Sequence, residues 1–206
     1  MRTILLKTWW ASVRGKRVAF ASGVILGAGI TLAALELPYV NWQVAVAPVD
    51  TLPLVIRHDA KGDGRFDAPR SGGRRHRGID LLATIDSPVR AIRSGQVVRV
   101  GLHHGFGQFV EIEHGEGLDS LYAHLNTVRV TPGVWVRQGD QIGTVGKTGN
   151  AHHPWILPHV HLEVTRNGEP IDPVALGIQP VDTRAVTVAT AARPPMDDRL
   201  DSVGGE

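Results

Sequence analysis

The apolar positions of the chain fall into three regimes. Val18 to Leu35 runs eighteen residues without a charge, and as a helix rising about 1.5 Å per residue it would cover roughly 27 Å, close to a hydrocarbon core of about 30 Å. Pro38, Pro48 and Pro53 then mark residues 38–53 as a linker, and Asp59 to Gly73 is a loop rich in Gly, Asp and Arg. From Gly78 onward the pattern is short and β-like: Gly78–Ala83, Pro88–Ile92, Gln96–Leu102, Gln108–His114, Asp119–Leu125, Val134–Val136, Gln141–Val145 and Val160–Thr165, bounded by Gly, Asn, Asp or Pro. This spacing predicts an all-β, antiparallel sandwich or open barrel behind an N-terminal transmembrane helix at 18–37. After Asp172-Pro173 the pattern decays, and 179–206 is expected to be a disordered tail.

Two segments are alike: Val89 to Gly101 and Val134 to Gly146 each read as a strand, a Gly-centred turn and a second strand ending in Gly. This resembles the duplicated hairpin of barrel-sandwich hybrid folds, which biotinyl and lipoyl carriers share with certain cell-wall peptidases.

Charge divides the chain. Arg2, Lys7, Arg14, Lys16 and Arg17 are five of its 22 Lys+Arg, so the remainder carries 17 against 20 Asp+Glu, and a nucleic-acid-binding body is not supported. The basic residues 1–17 before the apolar run, with Glu36 after it, predict a cytoplasmic tail, a single pass through the cytoplasmic membrane and an exported body on the periplasmic or extracellular side. The alternative is a signal peptide cleaved at Ala45-Val46-Ala47, against which the apolar run is longer than the roughly 7–15 residues of a signal segment. The chain has no cysteine, which excludes disulfides, thiolate ligands and a cysteine nucleophile and leaves His and carboxylates to hold any metal. With 24 Gly and 5% aromatics, the composition also suits a turn-rich β fold.

Three short elements carry candidate chemistry. In His76-Arg77-Gly78-Ile79-Asp80 the two ends would lie about 13 Å apart if extended, so a bend is needed for them to meet, and Gly78 can supply it. In His159-Val160-His161-Leu162-Glu163-Val164 the two histidines share one face of a strand, roughly 6.6 Å apart, while Val160, Leu162 and Val164 face a core. In Leu121-Tyr122-Ala123-His124-Leu125, alternation puts Tyr122 and His124 on one face, with Tyr122 packed beside the site.

Together the three elements resemble the lysostaphin-type zinc endopeptidases, whose pattern is H-x-x-x-D, then Y-A-H-L, then P-H-x-H with a hydrophobic-Glu-hydrophobic continuation. The resemblance spans roughly Asp59 to Pro173 and implies a zinc metallopeptidase domain at 54–178. It also implies Zn2+ held by His76, Asp80 and His161, with a coordination position left for water, and peptidoglycan stem peptides or cross-links as substrate. His159 then serves as general base, with His124 orienting water or stabilising the oxyanion, and the two roles are exchangeable.

Departures and competing readings remain. Gly149 to Pro158 is longer than the compact turn usual in the family and carries Trp155 and Ile156, which reads as an insertion beside the groove. Arg70, Arg74 and Arg75 read by default as a solvated basic loop, with a substrate carboxylate as their other use. His58, His103, His104, His114, His152 and His153 are weaker candidates for chemistry, with His152 and His153 foremost among them because they lie just before the His159 strand. The alternative function is a catalytically silent wall-binding or hydrolase-activating module of the same fold, against which all five site residues are present. A biotinyl-type carrier is remote, since Lys147 lacks a Met neighbour.

Overall fold

The computed structural model describes residues 44–184. The helix expected at 18–37, the basic tail before it and residues 185–206 lie outside the described residues. Among the described residues no helix is long and apolar enough to cross a membrane.

Among the described residues there are eleven strands: β1 (His58–Asp59), β2 (Gly62–Asp63), β3 (Gly78–Leu82), β4 (Pro88–Arg90), β5 (Gly95–His103), β6 (Gly107–Glu113), β7 (Leu118–Val128), β8 (Trp135–Val136), β9 (Gln141–Val145), β10 (His159–Arg166) and β11 (Glu169–Ile171). The all-β expectation holds, and every strand pair is antiparallel. β1 and β2 form a hairpin of their own, and the other nine form one connected sheet with the path β11-β10-β7-β6-β5-β8. β3 joins it along β10, and β9 joins β7 and β4.

The sheet folds over a single main core. Its strongest contributors are Ile79 and Leu81 from β3, Val110 and Ile112 from β6, Tyr122 and Leu125 from β7, and Val160, Leu162 and Val164 from β10. Val89, Ile92, Val136, Ile142 and Val145 close it from the other side. Ala45 and Val49, inside the expected linker, and Leu54 just after it are buried in the same core.

The internal repeat is present, but its units are not self-contained hairpins. β4 pairs with β9 and β5 with β8, so each strand of one repeat takes its partner from the other. Two backbone bonds between the turns complete the exchange, Ala91 N–H to the Asp140 carbonyl and Gly139 N–H to the Ala91 carbonyl. Interlacing buries Val89, Ala91, Ile92, Val136 and Ile142 in one place, which two separate two-stranded ribbons would leave half in water.

Candidate metal centre and active site

The alternation of β10 does most of the work at the site. Val160, Leu162 and Val164 are fully buried in the core, so His159, His161 and Glu163 emerge on the opposite face. β3 lies against β10 with Asp80 directly opposite His161. His76 precedes β3, held by its N–H on the Ala68 carbonyl and its carbonyl on the Asp67 N–H. Gly78 does not bend by left-handed backbone. It lets β3 approach β10, since a Cβ there would stand 2.2 Å from the Leu162 carbonyl oxygen.

Three donor atoms converge. His161 Nδ1 lies 2.9 Å from Asp80 Oδ1, His76 Nε2 lies 3.1 Å from His161 Nδ1, and His76 Nε2 lies 3.2 Å from Asp80 Oδ1. His76 Nδ1 donates to the Arg65 carbonyl at 2.7 Å, so its Nε2 turns a lone pair inward. Bonds of about 2.0–2.1 Å to a tetrahedral zinc would set such donors about 3.3 Å apart, so the trio fits a metal ion closely. Among the described residues it is the one cluster of His and carboxylate groups with this spacing.

The electrostatics agree. Burial opposes ionisation of Asp80, yet hydrogen bonds with His161 and His76 hold its carboxyl well below the usual carboxylate range. Burial likewise opposes a charged His161, but Asp80 and Glu163 raise it to about 9. The trio therefore calls for a cation at its centre, which a proton on His161 supplies in the free protein and a metal can replace. His161 Nε2 is buried without a hydrogen-bond partner, 3.7 Å from Glu163 Oε2, and Arg77 Nε holds the other Glu163 oxygen at 2.7 Å. A carboxylate behind a histidine fixes the orientation of the ring.

His124 and His159 stand beside the trio, their ring centroids 4.9 Å apart. His124 Nδ1 donates to the Thr148 carbonyl at 3.0 Å and His159 Nδ1 to the Leu157 carbonyl at 2.7 Å, so each keeps an unprotonated Nε2. Burial, followed by the charges of His159 and His161, pushes His124 down to about 3, and burial lowers His159 as well. Both rings are thus neutral proton acceptors at pH 7.

The aim of His124 corrects the alternation reading. His124 has φ +63°, and the β6–β7 register slips between Gln108 and Val110, where Ala123 and His124 together face Phe109. This bulge turns His124 onto the face of Ala123 and leaves Tyr122 in the core. The Tyr122 hydroxyl accepts the Ile92 N–H at 2.8 Å and lies 3.0 Å from Ser120 Oγ, so it does not line the site.

Other expected residues sort as follows. Arg74 and Arg75 bond the Ser71 and Asp67 carbonyls of their own loop, while Arg70 bonds the Asp63 carbonyl and approaches Asp80 Oδ2 to 3.6 Å. His58 pairs with Asp182, His103 accepts the Gly105 N–H and His152 bonds the Gly149 carbonyl, all outside the trio. Residues 149–158 form a short 3-10 turn, Gly149–His152, and a loop that exposes Trp155. Next to Glu163 a cleft of ≈ 360 Å³ opens on the outer face of the sheet, lined by Arg77, Arg99, Phe106, Glu111, Asp119 and Glu163 among others.

Arg57 escaped the sequence reading. It is buried, and its Nη2 and Nε reach Asp80 Oδ2 at 2.8 and 3.3 Å. No local pattern announces it, because its partner lies 23 residues away.

Comparison with known proteins agrees with this geometry. Residues 74–173 match the model of peptidase family M23. The catalytic domain of an M23 protein from Enterococcus faecalis, EnpA, is 30% identical, with a TM-score of 0.50 over 62% of this chain and 95% of that one. The chain belongs to peptidase family M23. Another match is a zinc-containing peptidase from Vibrio cholerae, at 28% identity and a TM-score of 0.53 over 65% of this chain and 40% of that one. Among curated proteins, the DD-carboxypeptidase/endopeptidase Mpg of Neisseria meningitidis is 39% identical over 62% of this chain. The chain spans only 29% of that relative's length, so the likeness is one of domain to domain. In M23 terms, the matched segment contains the H-x-x-x-D, Y-A-H-L and P-H-x-H elements in full.

Proposed function

We propose that the chain is a zinc endopeptidase that hydrolyses peptide bonds of peptidoglycan stem peptides or cross-links, working outside the cytoplasmic membrane on an anchor formed by residues 18–37. The observation that carries the reading is the convergence of His76 Nε2, Asp80 Oδ1 and His161 Nδ1 beside two histidines whose Nδ1 atoms are tied to backbone carbonyls. The peptidase activities of the relatives support the chemistry, and the uncharged run Val18 to Leu35 supports the tether.

In this reading His76, Asp80 and His161 hold Zn2+, which when bound lowers the pKa of water to about 7 and polarises a carbonyl. His159, neutral and fixed by Leu157, takes a proton at Nε2 and can return it to the leaving amine. His124, fixed by Thr148, faces the same space and orients water or, once protonated, stabilises the oxyanion. Arg77 keeps Glu163 behind His161, and Glu163 holds that ring in place.

The test is digestion of defined peptidoglycan by purified protein, followed by product analysis. Zinc-loaded wild type is expected to release peptides with new amino and carboxyl ends. His76→Ala and Asp80→Ala should lose the metal, and His159→Ala should keep it but lose turnover. If wild type cuts nothing while stimulating a separate wall hydrolase, the chain is an activating module and the enzymatic reading is wrong.

A further inference from the structure

Arg57 is only 5% exposed, and its guanidinium serves two carboxylates at once. Nη2 and Nε fork onto Asp80 Oδ2 at 2.8 and 3.3 Å, while Nη1 meets Asp59 Oδ2 at 2.6 Å. This leaves Asp80 Oδ1 to the two histidines. Asp59 Oδ2 also accepts the Leu157 N–H at 3.1 Å, and its Oδ1 accepts the Lys61 N–H at 2.8 Å. Leu157 also presents its carbonyl to His159 Nδ1 at 2.7 Å. A circuit thus runs from Asp80 through Arg57, Asp59 and Leu157 to His159, whose Nε2 returns to within 3.9 Å of Asp80 Oδ1.

Packing alone does not account for this arrangement. Burying a guanidinium costs several kcal/mol unless it is fully paired, and an apolar side chain would fill the same space without that cost. Leu157 is 45% exposed, so what that residue brings to the site is its N–H and C=O. Backbone bonds already hold the segment around Arg57 to Asp80, through the Arg57 N–H on the Asp80 carbonyl and the Asp80 N–H on the Gly64 carbonyl. The side-chain circuit adds orientation rather than attachment. Only a planar fork of five donors can meet two carboxylates in fixed directions, which a lysine cannot do.

We propose that Arg57 and Asp59 are a positioning pair which, through the backbone N–H and C=O of Leu157, locks the Asp80 carboxylate and the His159 ring into one relative geometry. The inference rests on the roles given to Asp80 and His159 above. It also gives the segment 149–158 a task, since Leu157 is the point where that loop grips the site.

The test compares full-length wild type with Asp59→Asn, Arg57→Gln and Arg57→Lys. Zinc affinity is measured by chelator competition, kcat and KM on a defined peptidoglycan fragment, and amide exchange at Leu157 without metal. Asp59→Asn is expected to hold zinc within about threefold of wild type but to lose kcat about tenfold or more with KM unchanged, and to speed exchange at Leu157. Arg57→Gln should also weaken zinc about ten- to hundredfold. Arg57→Lys should restore zinc affinity without restoring kcat. Wild-type kcat in Asp59→Asn, or zinc affinity falling in step with kcat there, would overturn the pairing. A wild type that neither binds zinc nor turns over overturns the functional reading instead, whereas exchange at Leu157 is read on any folded protein and tests the pair by itself.

Discussion

Replacing Gly78 by Ala tests whether the metal centre depends on the closeness of two strands. A Cβ at Gly78 would stand 2.2 Å from the Leu162 carbonyl oxygen, 2.8 Å from its carbon and 3.0 Å from Glu163 Cα. All three are backbone atoms of β10, so no side chain can turn aside. Relieving the shortest contact requires β3 and β10 to part by about 1 Å, and overpacking of this kind costs about 1–3 kcal/mol. For a domain of this size that lowers the melting temperature by roughly 3–10 °C.

The larger effect should be on the site, because the same strand pair carries Asp80 opposite His161. Sites of this kind need their groups held within about 0.5 Å. A displacement of about 1 Å should therefore weaken zinc by at least about tenfold and cut turnover by up to about a hundredfold. Thermal unfolding with and without zinc, chelator competition and peptidoglycan digestion measure the three effects. Unchanged melting together with wild-type zinc affinity in Gly78→Ala would show that the strands part without cost, and the argument from strand spacing would fail.

Two further outcomes concern the core and pH. Leu162→Ala removes a fully buried side chain beneath His161 and should cost about 2–5 kcal/mol in urea unfolding, and a loss under 1 kcal/mol would mean that the core collapses into the gap. His114 hydrogen-bonds the Ser94 carbonyl and Ser120 Oγ, and burial first of all lowers its pKa in the folded state. Below the unfolded value of about 6.5 the unfolded chain therefore binds more protons, and stability falls as pH drops toward the folded pKa. His114→Gln should make the loss of stability between pH 7 and 5 shallower, and an unchanged slope would remove His114 from the acid response.

What the sequence by itself determined is what local periodicity can carry. Alternation placed Val160, Leu162 and Val164 in the core with His159 and His161 across from them, because a strand has a period of two whatever surrounds it. The spacing of short apolar runs likewise located the principal strands, and the ordered motifs marked the trio that the fold brings together. Tertiary structure decided the rest. Whether Tyr122 or His124 faces the site depends on a bulge set by the register of β6 against β7, and alternation alone points Tyr122 the wrong way. The exchange of strands between the two repeats follows from burying both apolar faces together, which similarity between the repeats does not reveal. Arg57 became visible only when its segment lay beside Asp80, since an arginine in a sequence is by default a solvated charge and only burial against two carboxylates makes it part of a site.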